Sequence, residues 1–271
     1  MKVPMQHSQG ANQQPGSPPE NTVSLAQKYP WAVFILPFVV YMLLANIEPT
    51  RVELDAGPAW KWFGLYWNDL AYPAGYTIRL AVTLLVMLTL YASYRQFPLK
   101  FSLLSVVVGI VGVILWVGLC KLDIEEKLFP RIGLGSFTDL GERAAYNPLE
   151  ALGGYPLLLC GFLVVRFIGL ALVVPIIEEF ILRGFIVRFV LNPEEWLSLP
   201  CGVVNRVSLA LPAVYGLLTH PAEALAAVVW FSLVTWLMVR TQNLWDCVMA
   251  HAVTNLLLGI YVLTSGDWEL W

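Results

Sequence analysis

Three short motifs in the second half of the chain combine side chains that can hydrolyse an amide bond. They comprise Glu178, Glu179 and Arg183 in the first, His220 in the second, and His251 with Asn255 in the third. A carboxylate beside an imidazole can deprotonate water near neutral pH, and an imidazole or an amide can stabilise the oxyanion that forms on a carbonyl. These residue types therefore predict peptide hydrolysis by an activated water molecule.

The spacing within the motifs separates neighbouring residues by function. On an α-helix Glu179 and Arg183 lie one turn apart, in the order that favours an ion pair. Glu178 lies about 100° around the helix from Glu179, so we expect it to face something other than that arginine. His251 and Asn255 share one helix face. The alternative is that all of these polar groups are structural and hold membrane helices together through hydrogen bonds.

A metal site is the second reading of the same residues, because Glu and His are competent zinc ligands. The sequence has no HExxH motif, and its four cysteines lack the CxxC spacing of a zinc site. No GxSxG or Ser–Lys arrangement indicates a serine nucleophile. We therefore expect no cofactor, with a zinc-dependent variant as the alternative.

The composition indicates that membrane helices must position these groups. Hydrophobic residues make up 58% of the 271 residues and charged residues only 13%, against roughly 25% in soluble domains. The net charge of −3, without a basic patch, argues against nucleic-acid binding. We predict an all-α protein: a polytopic transmembrane bundle of about seven or eight helices, with a polar cavity in its C-terminal half.

Apolar windows place the expected helices along the chain. They cover residues 29–47, 75–94, 99–120, 156–190, 207–220, 222–239 and 244–263. The window 156–190 is too long for one span, and Pro175 should break or kink it, so we divide it near residue 174. Arg79 is expected to snorkel from a helix end, and Arg166 needs a partner within the membrane. Asp246 is expected to cap the last helix or to lie at the interface.

The chain is predicted to contain three regions. Residues 1–28 are polar and read as a disordered cytoplasmic tail, 29–155 as N-terminal membrane helices with interfacial loops, and 156–271 as the helical core that carries the polar residues. The distribution of Lys and Arg among the short loops favours a cytoplasmic N-terminus. No internal repeat is visible, which weakens a transporter interpretation that would use Glu178 and Glu179 as a relay.

The three motifs together resemble the CAAX protease and bacteriocin-processing (CPBP or Abi) family of intramembrane proteases. The resemblance covers roughly residues 175–260. It departs at one position, because the family usually has Phe four residues before its histidine, where this chain has Gly216 with Tyr215 beside it. The chain also resembles the CAAX protease-related subgroup that is associated with exosortase sorting systems.

The resemblance implies a catalytic core of the CAAX protease type in 156–271, with a metal-independent mechanism. The matched catalytic positions are Glu178, His220, His251 and Asn255, and the supporting positions are Glu179 and Arg183. The first two would activate the water, and the next two would form the oxyanion site. Glu179 and Arg183 would support the site or orient the substrate.

The expected protein is an intramembrane endopeptidase of the bacterial inner membrane. Its partners would be the lipid bilayer, a membrane-anchored protein or peptide substrate and sorting-system proteins, with no nucleic acid. The alternatives are a non-catalytic membrane adaptor, an immunity protein of the same family and a metal-dependent variant.

Overall fold

The computed structural model describes residues 28–48, 61–62, 65–95, 97–139 and 146–270. The predicted tail lies outside the described residues except for Lys28. Within the described part the structure is helical, apart from a two-residue antiparallel ladder in which β1 (Lys61–Trp62) pairs with β2 (Leu65–Tyr66). The predicted all-α class is confirmed.

The described residues form a series of helices along most of the chain. In chain order they are α1 (Ala32–Ala45), α2 (Trp67–Thr89), α3 (Tyr91–Tyr94), α4 (Leu103–Cys120), α5 (Ile124–Leu128), α6 (Gly135–Asp139), α7 (Pro148–Leu152), α8 (Pro156–Leu191), α9 (Arg206–Thr219), α10 (Ala224–Thr241) and α11 (Leu244–Ser265). Single 3₁₀ turns cover Pro130–Ile132 and Trp268–Leu270.

Among the described residues, five helical stretches are long and apolar enough to cross a membrane. They are Trp67–Thr89, Leu103–Ile132, Pro156–Leu191, Ala224–Thr241 and Leu244–Ser265. At 1.5 Å per residue, the 14-residue helices α1 and α9 extend only about 21 Å, less than the roughly 30 Å of a hydrocarbon core. Together these seven apolar helices confirm the predicted polytopic bundle.

The prediction that Pro175 divides the window 156–190 into two helices is wrong. Helix α8 continues from Pro156 to Leu191, and it contains two π segments, Gly169–Val173 and Phe180–Ile186. Proline lacks the N–H that an α-helix would use at that position. The wider i→i+5 turn just before Pro175 changes the hydrogen-bond register locally, so the chain passes the proline without leaving the helix.

Close contacts between α4, α10 and α11 form the centre of the bundle. Gly109 on α4 lies against α11: a Cβ placed there would be 2.6 Å from Val253 Cβ. Its carbonyl accepts a hydrogen bond from Thr254 Oγ1 at 3.0 Å, and Trp230 Nε1 on α10 donates to the same hydroxyl at 3.1 Å. Such small-residue contacts and interhelical hydrogen bonds hold helices together in a lipid bilayer, where the hydrophobic effect does not drive helix association.

Two carboxylates satisfy backbone donors at the starts of helices other than their own. Asp246, expected to cap the last helix or to lie at the interface, is buried, and its Oδ1 accepts from the backbone N–H of Ser102, the N-cap of α4, at 2.7 Å. Glu125 in α5 is also buried and accepts from Leu225 N in the first turn of α10 at 2.6 Å. Helix α5, in the connection after α4, is therefore fixed to a membrane helix.

Candidate functional site

The structure brings the four predicted catalytic residues onto the wall of one cavity of about 400 Å³. They are Glu178 on α8, His220 at the C-terminal end of α9, and His251 and Asn255 on α11. These positions are 77 residues apart in the sequence at their extremes, so only the packing of α8, α9 and α11 joins them. The two predicted supporting residues, Glu179 and Arg183, lie behind this wall and are fully buried.

The predicted ion pair between Glu179 and Arg183 is present. Glu179 Oε2 accepts a hydrogen bond from Arg183 Nη1, and Arg183 Nη2 donates to the carbonyl of Phe231 on α10 at 3.0 Å and to Thr235 Oγ1 at 3.3 Å. A buried charge needs such a partner, because removing an ion from water costs several kcal/mol. Neither side chain is exposed, so neither can touch a substrate in the cavity.

Glu179 also fixes the orientation of His251. Its second oxygen, Oε1, lies 3.1 Å from His251 Nδ1. Because the acceptor is a carboxylate, the hydrogen of this contact belongs to Nδ1, and the ring therefore presents Nε2 to the cavity. Trp230 packs edge-on against the imidazole, with ring centres 4.6 Å apart. The buried ion pair thus acts on the site through the histidine.

Glu178 points away from Arg183, as the helix geometry predicts. Its side chain is 17% exposed, and its Oε2 lies 3.9 Å from His251 Nε2 on the cavity side. This distance exceeds a direct hydrogen bond. A partly exposed carboxylate on a cavity wall, beyond hydrogen-bonding distance of His251, can act as a general base on a water molecule held in the cavity.

Asn255 is held by the irregular part of α8. A π segment pairs the carbonyl of residue i with the N–H of residue i+5, which for Leu170 would be Pro175. Proline has no N–H. Asn255 Nδ2 instead donates to the Leu170 carbonyl at 3.0 Å. The π segment and the proline together therefore provide the acceptor that orients the amide beside His251.

The environment of His220 explains the departure from the family pattern at Gly216. The ring of Phe231 from α10 occupies the space where a side chain at 216 would lie, because a Cβ there would be 2.4 Å from Phe231 Cδ2. Phe231 lies 6.1 Å from the His220 ring, and Trp116 from α4 lies edge-on to it at 5.3 Å. An aromatic neighbour of His220 is thus supplied by the next helix.

Sequence reasoning missed the N-terminal part of the cavity wall, about a third of its lining residues. The cavity was expected in the C-terminal half, but N-terminal residues line it too, namely Tyr41, Glu48, Tyr72, Arg79, Trp116 and Tyr146. Arg79 does not snorkel: it is 8% exposed, and its Nε lies 3.0 Å from Glu48 Oε1. Arg166 has the partner it needs, since its Nη1 donates to the Tyr72 hydroxyl at 3.1 Å. The available signal was Arg79 itself, far from either end of a 23-residue helix.

The described residues contain no group of three or more His, Cys, Asp or Glu side chains arranged to hold a metal ion. The carboxylates and imidazoles that line the cavity are Glu48, Glu178, His220 and His251. Of these, Glu178 and His251 are the pair whose facing atoms are 3.9 Å apart.

Comparison with known proteins gives one match. Residues 161–257, a little over a third of the chain, match the family model described as type II CAAX prenyl endopeptidase Rce1-like. No curated protein and no solved structure matches the chain with significance. The match confirms the family resemblance drawn from the three motifs, while the exosortase-associated subgroup stays a prediction.

The matched segment contains all six predicted site residues, and it excludes the N-terminal part of the cavity wall. Its family is one of membrane-embedded endopeptidases, which agrees with the five long apolar helices. Residues 161–257 of this integral, multi-pass membrane protein are therefore similar to the Rce1-like family of CAAX endopeptidases.

Proposed function

We propose that the protein is an intramembrane endopeptidase that hydrolyses a peptide bond of a membrane-anchored protein, using water activated by Glu178 and His220. The observation that carries the proposal is the convergence of Glu178, His220, His251 and Asn255 on one cavity. Three separate helices contribute these residues, and helix–helix adhesion alone does not require their polar groups to face a common space.

In this mechanism the water lies beside Glu178, which takes its proton while the oxygen attacks the scissile carbonyl. The imidazole of His220 takes part with Glu178 in activating the water. The oxyanion forms next to the Asn255 amide, which donates to it, and beside the Nε2 edge of His251, which donates when the ring is an imidazolium with both nitrogens protonated. Return of the proton to the departing amine completes hydrolysis. Glu179 and Arg183 keep His251 in place and do not touch the substrate.

The low dielectric of the cavity favours this chemistry. Aromatic rings surround the polar groups, among them Trp116, Trp230 and Phe231. Electrostatic stabilisation of a developing oxyanion is stronger where water is excluded than in bulk solvent. The substrate we propose is a protein anchored in the bacterial inner membrane that carries a C-terminal sorting or signal segment. Sorting-system proteins, as in the exosortase-associated subgroup, are the proposed partners.

The test is a cleavage assay on the purified chain in liposomes, with a library of sorting-tagged membrane peptides. Glu178→Gln and His220→Ala should each reduce turnover by at least about 100-fold, in the range typical of general acid–base groups. Glu194→Gln, an exposed carboxylate in the connection after α8, is the matched control and should retain full turnover.

Each arm of this assay decides between the proposal and an alternative. Turnover that survives a chelator and vanishes in both variants supports the glutamate mechanism. Turnover that a chelator abolishes and zinc restores would make Glu178 and the histidines metal ligands. Absence of turnover from chain whose helical circular dichroism and monodispersity are intact would overturn the proposal in favour of a non-catalytic adaptor or immunity protein.

A further inference from the structure

Two buried arginines line the same cavity as Glu178. Arg79 on α2 is 8% exposed and Arg166 on α8 is 6% exposed, and both line the same cavity as the candidate catalytic residues. Arginine at membrane depth is expensive and marks functional sites by default. The proposed hydrolysis uses neither of them.

Aromatic side chains hold both guanidinium groups in fixed positions. The ring of Tyr76 lies 4.8 Å from the Arg79 guanidinium carbon and 4.6 Å from that of Arg166, so the two cations are less than 10 Å apart. Tyr41 packs against Arg79 at 4.4 Å. The Tyr72 hydroxyl accepts from Arg166 Nη1. The forked donors of two such prearranged guanidinium groups suit the two oxygens of a carboxylate.

The structure already places a carboxylate at this end of the cavity. Glu48 lines the cavity, and its Oε1 lies 3.0 Å from Arg79 Nε. Burial raises the pKa of the Glu48 carboxyl, and the attraction of Arg79 only partly opposes that shift. The contact with Glu48 shows that a carboxylate oxygen fits beside Arg79 at this end of the cavity.

The spacing of Arg166 and Glu178 along α8 sets how long a peptide must be to reach from one to the other. Arg166, Leu170, Val174 and Glu178 all line the cavity at four-residue intervals along α8. In a regular α-helix each such step would rotate by about 40°, but the wider π turn returns the series to one face. Twelve residues at a rise of 1.5 Å each place the Cα atoms of Arg166 and Glu178 about 18 Å apart along the helix axis. An extended peptide covers that distance in about five residues.

We propose that Arg79 and Arg166 form a carboxylate-binding subsite for the peptide substrate, at most about five residues from the scissile bond. This inference rests on the proposed function, because it takes the cavity to be where the peptide binds. The carboxylate comes either from the C-terminus of the substrate or from an acidic side chain near the cleavage point. In both cases the subsite fixes the distance between a charge on the peptide and the bond placed beside Glu178.

Binding is measured on the full chain carrying Glu178→Gln, in nanodiscs of phosphatidylcholine, so that the result does not depend on turnover. The probes are three pools of N-acylated, fluorescent decapeptides. One pool has free C-termini, one has C-terminal amides, and one has free C-termini with Asn and Gln in place of Asp and Glu. Loss of the recognised carboxylate should weaken binding by about 10- to 100-fold, as expected for a hydrogen bond to a charged group. The pool that loses affinity identifies the source of the carboxylate.

Variants of the subsite connect the preference to the arginines. Arg166→Gln and Arg79→Gln should each reduce the ratio between carboxylate and amide binding towards one. Arg166→Lys should retain part of it through charge alone. The matched control is Arg240→Gln, an exposed arginine at the end of α10, which should keep the full ratio. A ratio compared within each variant is insensitive to a general loss of folded protein.

Equal binding of all three pools to chain with both arginines intact would overturn the proposal, and so would a preference that survives in Arg79→Gln and Arg166→Gln. Binding that responds only to added phosphatidylglycerol would assign the arginines to a lipid phosphate. The proposed function is tested separately, by measuring whether the protein with Glu178 intact cleaves the tightest-binding probe. Binding of the peptide without cleavage would contradict the proposed function and leave the carboxylate subsite standing.

Discussion

Replacing Arg183 with Met should destabilise the protein by about 3–5 kcal/mol, the range measured when one partner of a buried ion pair is removed. Methionine is unbranched and adaptable, so little of the loss comes from packing. The loss comes from the Glu179 carboxylate, which is fully buried and would keep only His251 Nδ1 as a polar partner. The Phe231 carbonyl would also lose a donor at 3.0 Å.

A second substitution distinguishes the charge from the packing. In Glu179→Gln/Arg183→Met no charge of the pair remains, and the Gln side-chain oxygen still accepts from His251 Nδ1. We expect the double variant to be at least about 2 kcal/mol more stable than Arg183→Met alone, because removing both partners of a buried pair is often nearly neutral. Arg240→Met, at an exposed position, should change stability by less than about 0.5 kcal/mol.

The measurement is the free energy of unfolding in mixed detergent and dodecyl sulfate micelles, followed by the helical circular dichroism signal. A loss below about 1 kcal/mol in Arg183→Met would refute the reasoning, since the carboxylate would then have another way to be compensated. A double variant no more stable than the single variant would show that Arg183 acts through its packing.

Three further substitutions test particular contacts by the same unfolding measurement. Gly216→Ala should lower the free energy of unfolding by about 1–3 kcal/mol, because its Cβ would be 2.4 Å from the Phe231 ring. Gly118→Ala is the control and should be neutral or stabilising, because a Cβ at that position would have no atom within 4 Å. Equal effects of the two substitutions would contradict the packing argument. Asp246→Ala should cost about 1–3 kcal/mol by leaving the N-cap amide of α4 unpaired, and Asp246→Asn clearly less, since it keeps an acceptor. Burial raises the pKa of Glu48, so over part of the pH range the folded state holds a proton that the unfolded chain has released. The free energy of unfolding should therefore fall as the pH rises above about 4.3, the ordinary pKa of a glutamate. Glu48→Gln should remove this part of the pH dependence.

Local periodicity was enough to predict the pairing within each motif. The four-residue step from Glu179 to Arg183 fixes which carboxylate is neutralised, and the adjacent Glu178 must then face elsewhere, as it does. Such relations depend only on helix geometry, which the sequence specifies wherever the helix forms. The apolar windows were predicted for the same reason, to within a few residues at most ends.

The effect of Pro175 could not be predicted from local rules. The rule that proline interrupts a helix assumes an α-helical register on both sides. Here the register changes just before the proline, and the carbonyl of Leu170 is satisfied by Asn255 from another helix, 85 residues later in the chain. Whether such a partner exists depends on tertiary packing, so the sequence alone favours the wrong outcome.

The N-terminal part of the cavity wall was missed for a related reason. An arginine in an apolar helix can reach the interface or bind inside the protein, and its own helix does not decide between these outcomes. The burial of Arg79 depends on Glu48, Tyr41 and Tyr76, which the fold places around it. Likewise, the sequence did not predict that the ring of Phe231 on α10 fills the space beside Gly216 on α9, because this contact depends on how the two helices pack.

The π segment Gly169–Val173 sets the rotational phase of the rest of α8. If the same twelve residues from Arg166 to Glu178 formed a regular α-helix, everything after the π segment would be rotated by about 100° relative to Arg166. Glu178 would then turn out of the cavity, to about the angular position that Glu179 holds now. A residue added to or removed from a loop of this protein changes only a connection, whereas in α8 the number of residues and the π turn together set which side chains face the cavity. A related chain that lacks this π turn should therefore have one residue fewer between positions 166 and 178.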